Sequence, residues 1–163
     1  MDRYVVMGVS GCGKSSIGAA FAQAIGGTFM DGDDLHPASN IAKMAQGAPL
    51  DDDDRIPWLG AVAQALNDGT PPMVIACSAL KRSYRDLIRG GVEGTVIFLH
   101  LAGDKAVIAA RMAAREGHFM PTSLLDSQFA ALEVPGPDER CITADLGKTP
   151  EQILQVFLAH RDP

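Results

Sequence analysis

Two hydrophobic periods alternate along this chain. Short, nearly unbroken apolar runs fall at 4–7, 73–76 and 95–101, each bounded by Gly, Pro or Asp. Runs of that length and character suit buried parallel strands. Between them apolar residues recur at helical spacing, as in Ile17, Ala20, Phe21, Ala24 and Ile25, or Leu59, Val62, Ala63 and Leu66. The pattern predicts strands at Arg3–Met7, Thr28–Met30, Met73–Ala76, Thr95–Leu101 and Cys141–Ala144. It predicts helices from Ser15 to Ile25, from His36-Pro37 to about Gln46, and from Ile56 to a stop at Asn67-Asp68-Gly69. Further helices are expected over Ala79–Arg89, Lys105–Arg115, from an N-capping Thr122 through Leu132, and from Pro150 to about His160. Thr149-Pro150-Glu151-Gln152 is a capping box with Pro at the first helical position.

Strands alternating with helices define an α/β class: a three-layer α/β/α fold around a five-stranded parallel sheet. The length, 163 residues, fits one domain spanning the whole chain. Ligands of such sheets sit outside the carboxyl ends of the strands. The loop after the first strand, Asp31–Asp34 after the second and Cys77-Ser78 after the third are therefore expected to meet at one cleft.

The first of these loops is Gly8-Val9-Ser10-Gly11-Cys12-Gly13-Lys14-Ser15, which matches the phosphate-loop pattern G-x-x-x-x-G-K-[ST]. It stands after a predicted strand and before a predicted helix, the setting the motif requires. Its glycines let the backbone approach an anion, and its N–H groups and the helix N-terminus through Ser16 supply donors and positive potential. Lys14 is placed to reach the β- and γ-phosphates of ATP, and Ser15 to ligate Mg²⁺. Cys12 lies at a helix N-terminus, where a thiol's pKa tends to fall. The fold expectation sharpens to a phosphate-loop NTPase.

Other residues add acceptor chemistry. Asp31 and Asp33 are two apart, so in an extended segment both face one side; one suits the Mg²⁺ shell, the other a substrate hydroxyl. A solvated acidic turn is the alternative. Arg55 follows four aspartates and precedes Pro57-Trp58; its acidic neighbours can aim its planar fork at a substrate carboxylate. Lys81, Arg82, Arg85 and Arg89 form a basic helix face, read either as solvent-exposed with Asp86 as partner or as an anion-attracting wall, Lys81 and Arg82 nearest the strand end. Arg111 and Arg115 lie one turn apart, ahead of the Gly- and Pro-bounded segment 116–121. Such a segment can act as a lid whose arginine meets the transferred phosphoryl group. His36, beside Asp33-Asp34, and His118, in that segment, are the histidines near proposed functional positions; His100 and His160 read as structural.

Composition narrows the partners. A formal net charge of −6 argues against nucleic acid, whose binders carry a basic face. The three cysteines are widely spaced with no zinc pattern. Their odd number, and a first strand that leaves no room for a signal peptide, predict a cytoplasmic location. No apolar stretch reaches the length of a membrane span.

Longer segments resemble one family. Asp31-Gly-Asp-Asp-Leu-His-Pro37, Asn40-Ile-Ala-Lys-Met44 and Gly47-Ala-Pro-Leu-Asp-Asp-Asp-Asp-Arg-Ile-Pro-Trp-Leu59 look like the signature of bacterial-type gluconokinases. Cys77-Ser-Ala-Leu-Lys-Arg-Ser-Tyr-Arg-Asp-Leu-Ile-Arg89 and His118-Phe-Met-Pro-Thr-Ser-Leu-Leu-Asp-Ser-Gln-Phe-Ala-Ala-Leu-Glu-Val-Pro135 are similar to it too. The resemblance implies a shikimate-kinase-like enzyme that phosphorylates D-gluconate at its 6-position with ATP and Mg²⁺, as a homodimer. It implies a substrate-binding helical region at about 34–68 and a lid at about 116–135. It assigns Asp33 to the acceptor hydroxyl, Asp31 and Ser15 to the metal, and Arg55 to the substrate carboxylate. Lys14, Asp33 and a lid arginine, Arg115 in preference to Arg111, form the implied catalytic set. Arg111 joins residues 8–16 at the nucleotide, and His36, Lys43, Lys81, Arg82 and His118 join the substrate contacts. A nucleoside-monophosphate kinase on the same fold is the nearest rival, opposed by the D-G-D-D-L-H-P and D-D-D-D-R-I-P-W segments. A nucleotide-gated switch is the rival from another class; a GTPase would need N-K-x-D, which the chain lacks.

Overall fold

A computed structural model describes residues 2–9, 11–113 and 122–161. Five parallel strands, β1 (Arg3–Met7), β2 (Thr28–Asp31), β3 (Met73–Ala76), β4 (Ile97–Ala102) and β5 (Cys141–Asp145), form one sheet in the order β2-β3-β1-β4-β5. The helices among the described residues are α1 (Lys14–Ala24), α2 (Ala38–Ala45), α3 (Asp52–Asp68), α4 (Arg82–Gly91), α5 (Lys105–Ala113), α6 (Thr122–Ala131) and α7 (Pro150–His160).

The unbroken apolar run of β1 is divided by the strand's period of two. Tyr4 and Val6 enter a core with Phe21 of α1 and Phe157 of α7, where Tyr4 meets Phe21 edge-on at 4.9 Å. Val5 and Met7 enter a second core with Trp58, Leu59, Val62 and Leu66 of α3 and Tyr84 and Ile88 of α4. Both faces of the sheet are thus covered, as a parallel sheet requires.

Register brings the carboxyl ends together. Asp31 pairs with Ala76, and Ala76 with Val6. The loops leaving β2, β3 and β1 therefore emerge side by side, as the strand alternation predicts.

Three departures from the sequence pattern bear on the site, each for a local reason. Helix α3 begins at Asp52 rather than Ile56. Asp51 caps it: Asp51 Oδ1 accepts the Asp54 N–H at 2.8 Å and Asp54 Oδ2 accepts the Asp51 N–H at 2.9 Å, a capping box built from two aspartates. Helix α4 begins at Arg82 rather than Ala79, because Ala79 adopts a left-handed backbone, φ +46°, and turns the chain out of a helical path. The segment after β2 is a 3-10 turn, Gly32–Leu35, and not an extension of the strand. The capping box at Thr149 stands as predicted, with Pro150 in the first turn.

Candidate active site

The phosphate loop has the form its motif requires. Gly13 caps α1 in the left-handed region, φ 90°. A Cβ on Gly8, at φ +152°, would lie 2.9 Å from Cys12 Sγ and 3.0 Å from the Leu101 carbonyl, so no other residue fits there. The Gly8 N–H donates to the Ser78 carbonyl at 3.2 Å, tying this loop to the one after β3. Lys14 Nζ curls over the loop and donates to the carbonyls of Gly8 and Val9, both at 3.1 Å. Cys12 is 1% exposed and packs into the α1 core. Its thiol faces the interior, which overrides the reactivity that a helix N-terminus would favour. Ser10 lies outside the described residues.

The acidic corner is organised by Asp31. Its Oδ2 accepts the Ser15 hydroxyl at 2.8 Å, and its Oδ1 accepts the Asp33 N–H at 3.0 Å, capping the 3-10 turn. The turn, not an extended strand, sets the direction of Asp33. Asp33 remains open to the cleft, yet burial by the surrounding chain, reinforced by the Asp31 charge, raises its carboxyl above the usual range. The paired oxygens of Ser15 and Asp31 suit Mg²⁺, which takes few protein ligands and completes its shell with phosphate oxygens and water. Among the described residues no three His, Cys, Asp or Glu side chains converge on a metal position.

Beyond the turn, Trp58 Nε1 donates to the Gly32 carbonyl at 2.8 Å, and its indole stacks on the His36 ring with centroids 4.2 Å apart. Asn40, buried, spans His36 Nδ1 at 3.2 Å and the Asp54 carbonyl at 2.9 Å. Burial holds the His36 pKa below its ordinary value, favouring the neutral ring.

The acidic run at 51–54 separates by task. Asp51 and Asp54 cap α3, and Asp54 also accepts Lys43. Asp52 turns toward α4. The Tyr84 hydroxyl donates to it, Lys81 Nζ donates at 3.3 Å, and Arg55 Nη1 donates to the Tyr84 oxygen at 3.2 Å. These bonds, the Tyr84 one foremost, hold the Asp52 carboxyl below its usual range. Arg55 and Lys81 each stand 5.6 Å from the Tyr84 ring centre. Two cations are thereby fixed through one phenol and one carboxylate.

Asp33, His36, Arg55, Trp58, Lys81 and Tyr84 line a single cleft of about 770 Å³, closed further by Met44, residues 47–50, Ser78 and Leu80, and by Ser127, Gln128 and Ala131 of α6. The structure therefore brings Asp31 beside Ser15, and Asp33, His36, Arg55 and Lys81 into one cleft. Trp58, Tyr84, Asp52 and Gln128 are additions. Trp58 and Tyr84 carried a usable signal, since an aromatic ring with a polar tip among charged residues often borders a ligand site.

Other predicted residues go elsewhere. Lys43 pairs with Asp54 and Asp51, and Arg82 with Asp138; neither lines the cleft. The basic face of α4 is not a face at all. Arg85 is wholly buried against Glu139, and Arg89 bridges Asp86 and Glu139. Helical spacing showed four like charges in sequence but not the distant carboxylates that separate them. Arg111 donates to the carbonyls of Leu146 and Lys148 beyond β5. Arg115 and His118 lie outside the described residues, as does the segment 116–121 expected to open the lid.

A phosphate loop on β1, a metal-suited Ser–Asp pair and an adjoining polar cleft on a β2-β3-β1-β4-β5 sheet define a small-molecule kinase of the phosphate-loop class. The shikimate kinase family model matches residues 10–128. At closer range, the chain is 47% identical to the thermosensitive gluconokinase of Escherichia coli, over 98% of this chain and 89% of that one. It is 50% identical to the thermoresistant gluconokinase of the same organism, over 83% and 79%. A crystal structure of a gluconokinase from Sinorhizobium meliloti superposes with a TM-score of 0.90 at 49% identity, over 97% of this chain and 90% of that one. The chain belongs to the gluconokinase family.

Proposed function

We propose that this chain transfers the γ-phosphoryl group of ATP to the 6-hydroxyl of D-gluconate, giving 6-phospho-D-gluconate and ADP. Family membership supports the reaction. The observation that carries the residue roles is the cleft: a single carboxylate with a raised pKa, Asp33, and two braced cations, Arg55 and Lys81, border one space beside the phosphate loop. A polyhydroxy acid needs both, a base at its alcohol end and cations at its carboxylate.

Phosphoryl transfer asks a protein mainly for positioning and charge stabilisation. The loop amides and Lys14 hold the β- and γ-phosphates; Lys14 leaves the Gly8 and Val9 carbonyls to do so. Asp33 orients the substrate hydroxyl and takes its proton as the new oxygen–phosphorus bond forms and the bond to the β-phosphate oxygen breaks. Arg55 and Lys81 bind the substrate carboxylate, and His36, stacked on Trp58, faces the substrate hydroxyls. A Mg²⁺ ion beside Ser15 and Asp31 would neutralise developing charge on the phosphates. Arg115, just ahead of the 116–135 lid, closes over the γ-phosphate. The same reading takes the protein to act in the cytoplasm as a homodimer.

The test is product identification after incubation with Mg-ATP and a panel of sugar acids. A 6-phosphorylated gluconate as the dominant product supports the reading. Equal ADP release with and without any sugar acid would return the chain to the class of nucleotide-gated switches.

A further inference from the structure

Arg85 lines neither the phosphate loop nor the cleft, yet it is the largest fully buried side chain among the described residues. We propose that Arg85, with Glu139, is a positioning residue for acceptor phosphorylation: the pair fixes the loop after α6 against the loop after β3, and so sets the shape of the acceptor cleft. The proposal rests on the reading of that cleft as the acceptor site.

All five donors of the guanidinium are engaged. Nε and Nη2 donate to the two carboxylate oxygens of Glu139, at 2.7 and 3.1 Å. Nη2 also donates to the Glu133 carbonyl at 2.8 Å, and Nη1 to the carbonyls of Ala79 at 2.8 Å and Leu80 at 3.1 Å. The Glu139 side chain is 1% exposed and further accepts Arg89 Nη2 and the Gly136 N–H. Two flanking bonds repeat the link: the Glu133 N–H donates to the Leu80 carbonyl at 2.8 Å, and Glu133 Oε1 accepts the Arg82 N–H at 2.7 Å.

The joined segments both reach the cleft. Residues 77–81 bring Ser78, Leu80 and Lys81 to it, and Ser78 also accepts the Gly8 N–H of the phosphate loop. Residues 133–139 follow α6, which contributes Ser127 and Gln128. Arg85 bonds the carbonyl of Ala79, the residue whose left-handed backbone, φ +46°, sits between the cleft residues Ser78 and Leu80. A buried ion pair adds little net stability over apolar side chains of similar volume, because desolvation offsets its attraction. Its bonds are directional, however, and apolar packing does not reproduce five fixed angles. The consequence falls on geometry more than on folding.

The test compares wild type with Arg85→Met/Glu139→Met, which leaves no uncompensated charge, and with Glu139→Asp, which keeps the charge but shortens the reach. Near-UV circular dichroism and thermal melting establish folding. The expected result for the double variant is nucleotide affinity within about threefold of wild type, with gluconate kcat/KM reduced about tenfold or more, since small misplacements at a reacting centre have effects of that order. Glu139→Asp should fall between. Should the double variant fail to fold, Glu139→Asp reads the same split between nucleotide and gluconate. Gluconate kinetics within about twofold of wild type in a folded variant overturns the proposal. So does a loss of nucleotide affinity in step with gluconate turnover, which would make the pair a support of the whole fold. Wild-type turnover is the internal control: its absence with gluconate overturns the acceptor reading, whereas normal wild-type turnover with unaffected variants overturns only the positioning role.

Discussion

Ser15 Oγ donates to Asp31 Oδ2 at 2.8 Å across the gap between the phosphate loop and the end of β2. The other oxygen of the same carboxylate caps the turn that carries Asp33. One side chain thus couples the metal-suited corner to the acceptor carboxylate. Asp31→Asn should raise the Mg²⁺ concentration needed for half-maximal turnover by about tenfold or more, the usual range for groups that support a metal. Ser15→Ala should act in the same direction, and the double variant should be less than additive because the two share one function. Mg²⁺ titrations of turnover at saturating ATP measure all three. Unchanged Mg²⁺ dependence in Asp31→Asn would remove Asp31 from the metal corner.

Asp33 and Arg55 line one cleft but should fail differently. Asp33→Asn removes charge and basicity while keeping size. It should hold Mg-ATP affinity within a few-fold and lower gluconate-dependent kcat by about a hundredfold or more, the range for loss of a general base. Arg55→Ala should instead raise the gluconate KM by about tenfold or more, as expected for one charged hydrogen-bonding partner. Because burial and Asp31 raise the Asp33 carboxyl, the acid limb of kcat in wild type should lie above the ordinary value of 3.8. Normal turnover of Asp33→Asn would pass the role to Asp31 or Asp34.

Cys12 offers a check on the phosphate loop. Its burial predicts that native protein exposes one slow thiol, Cys141, while Cys12 and Cys77 stay unlabelled. Burial pushes the Cys77 thiol up to about 12 and raises Cys141 as well, so neither is an activated nucleophile. Mass spectrometry after alkylation should find Cys12 unmodified both with and without Mg-ATP. Labelling of Cys12 that Mg-ATP suppresses would show that the loop opens in solution and exposes a thiol directed inward here.

Local signals made the sheet and the phosphate loop legible. The period of two in β1, the capping box at Thr149 and the Gly8–Ser15 motif each act over a few residues, and the strand-end rule then brought Asp31–Asp34 and Cys77-Ser78 to the phosphate loop, with Lys81 close behind. What stayed hidden depends on partners far along the chain. Arg85 reads as one cation of an exposed stripe because Glu139, its partner, lies 54 positions away. Four consecutive aspartates look alike in sequence. Tyr84, 32 positions from Asp52, and Lys43, 11 positions from Asp54, are what distinguish a brace from a cap. The turn at Asp33 stood only as the alternative reading, for the opposite reason: a side chain two residues back caps it, and the D-G-D-D pattern fits a turn and a strand end equally well.

His100 is buried on β4, at 2% exposure, and its Nδ1 has no hydrogen-bond partner. Burial, aided by the Arg85 charge, lowers its pKa from 6.5 to about 4. The folded state therefore resists a proton that the unfolded chain accepts below about 6.5. Unfolded protein binds more protons across this window, so stability rises with pH within it and is lost as pH falls from about 6.5 to about 4. The full effect is of order 3 kcal/mol at about 1.4 kcal/mol per pKa unit. Glu139 follows in the next window. Arg85 and its other donors hold it at about 2 instead of 4.5, so its contribution is present above about 4.5 and disappears as pH falls toward 2. His100→Leu removes the first effect without touching the second, and also removes an unpartnered polar atom. Its stability at pH 7 should lie within about 1 kcal/mol of wild type. Urea unfolding from pH 7 to pH 3.5 should show wild type losing more stability below pH 6.5 than the variant, whose smaller loss there comes from His36. The wild-type-minus-variant difference isolates His100, since the remaining carboxylates are common to both. Parallel loss of stability in the two proteins between pH 6.5 and pH 5 would show that His100 titrates in the folded state as freely as in the unfolded chain.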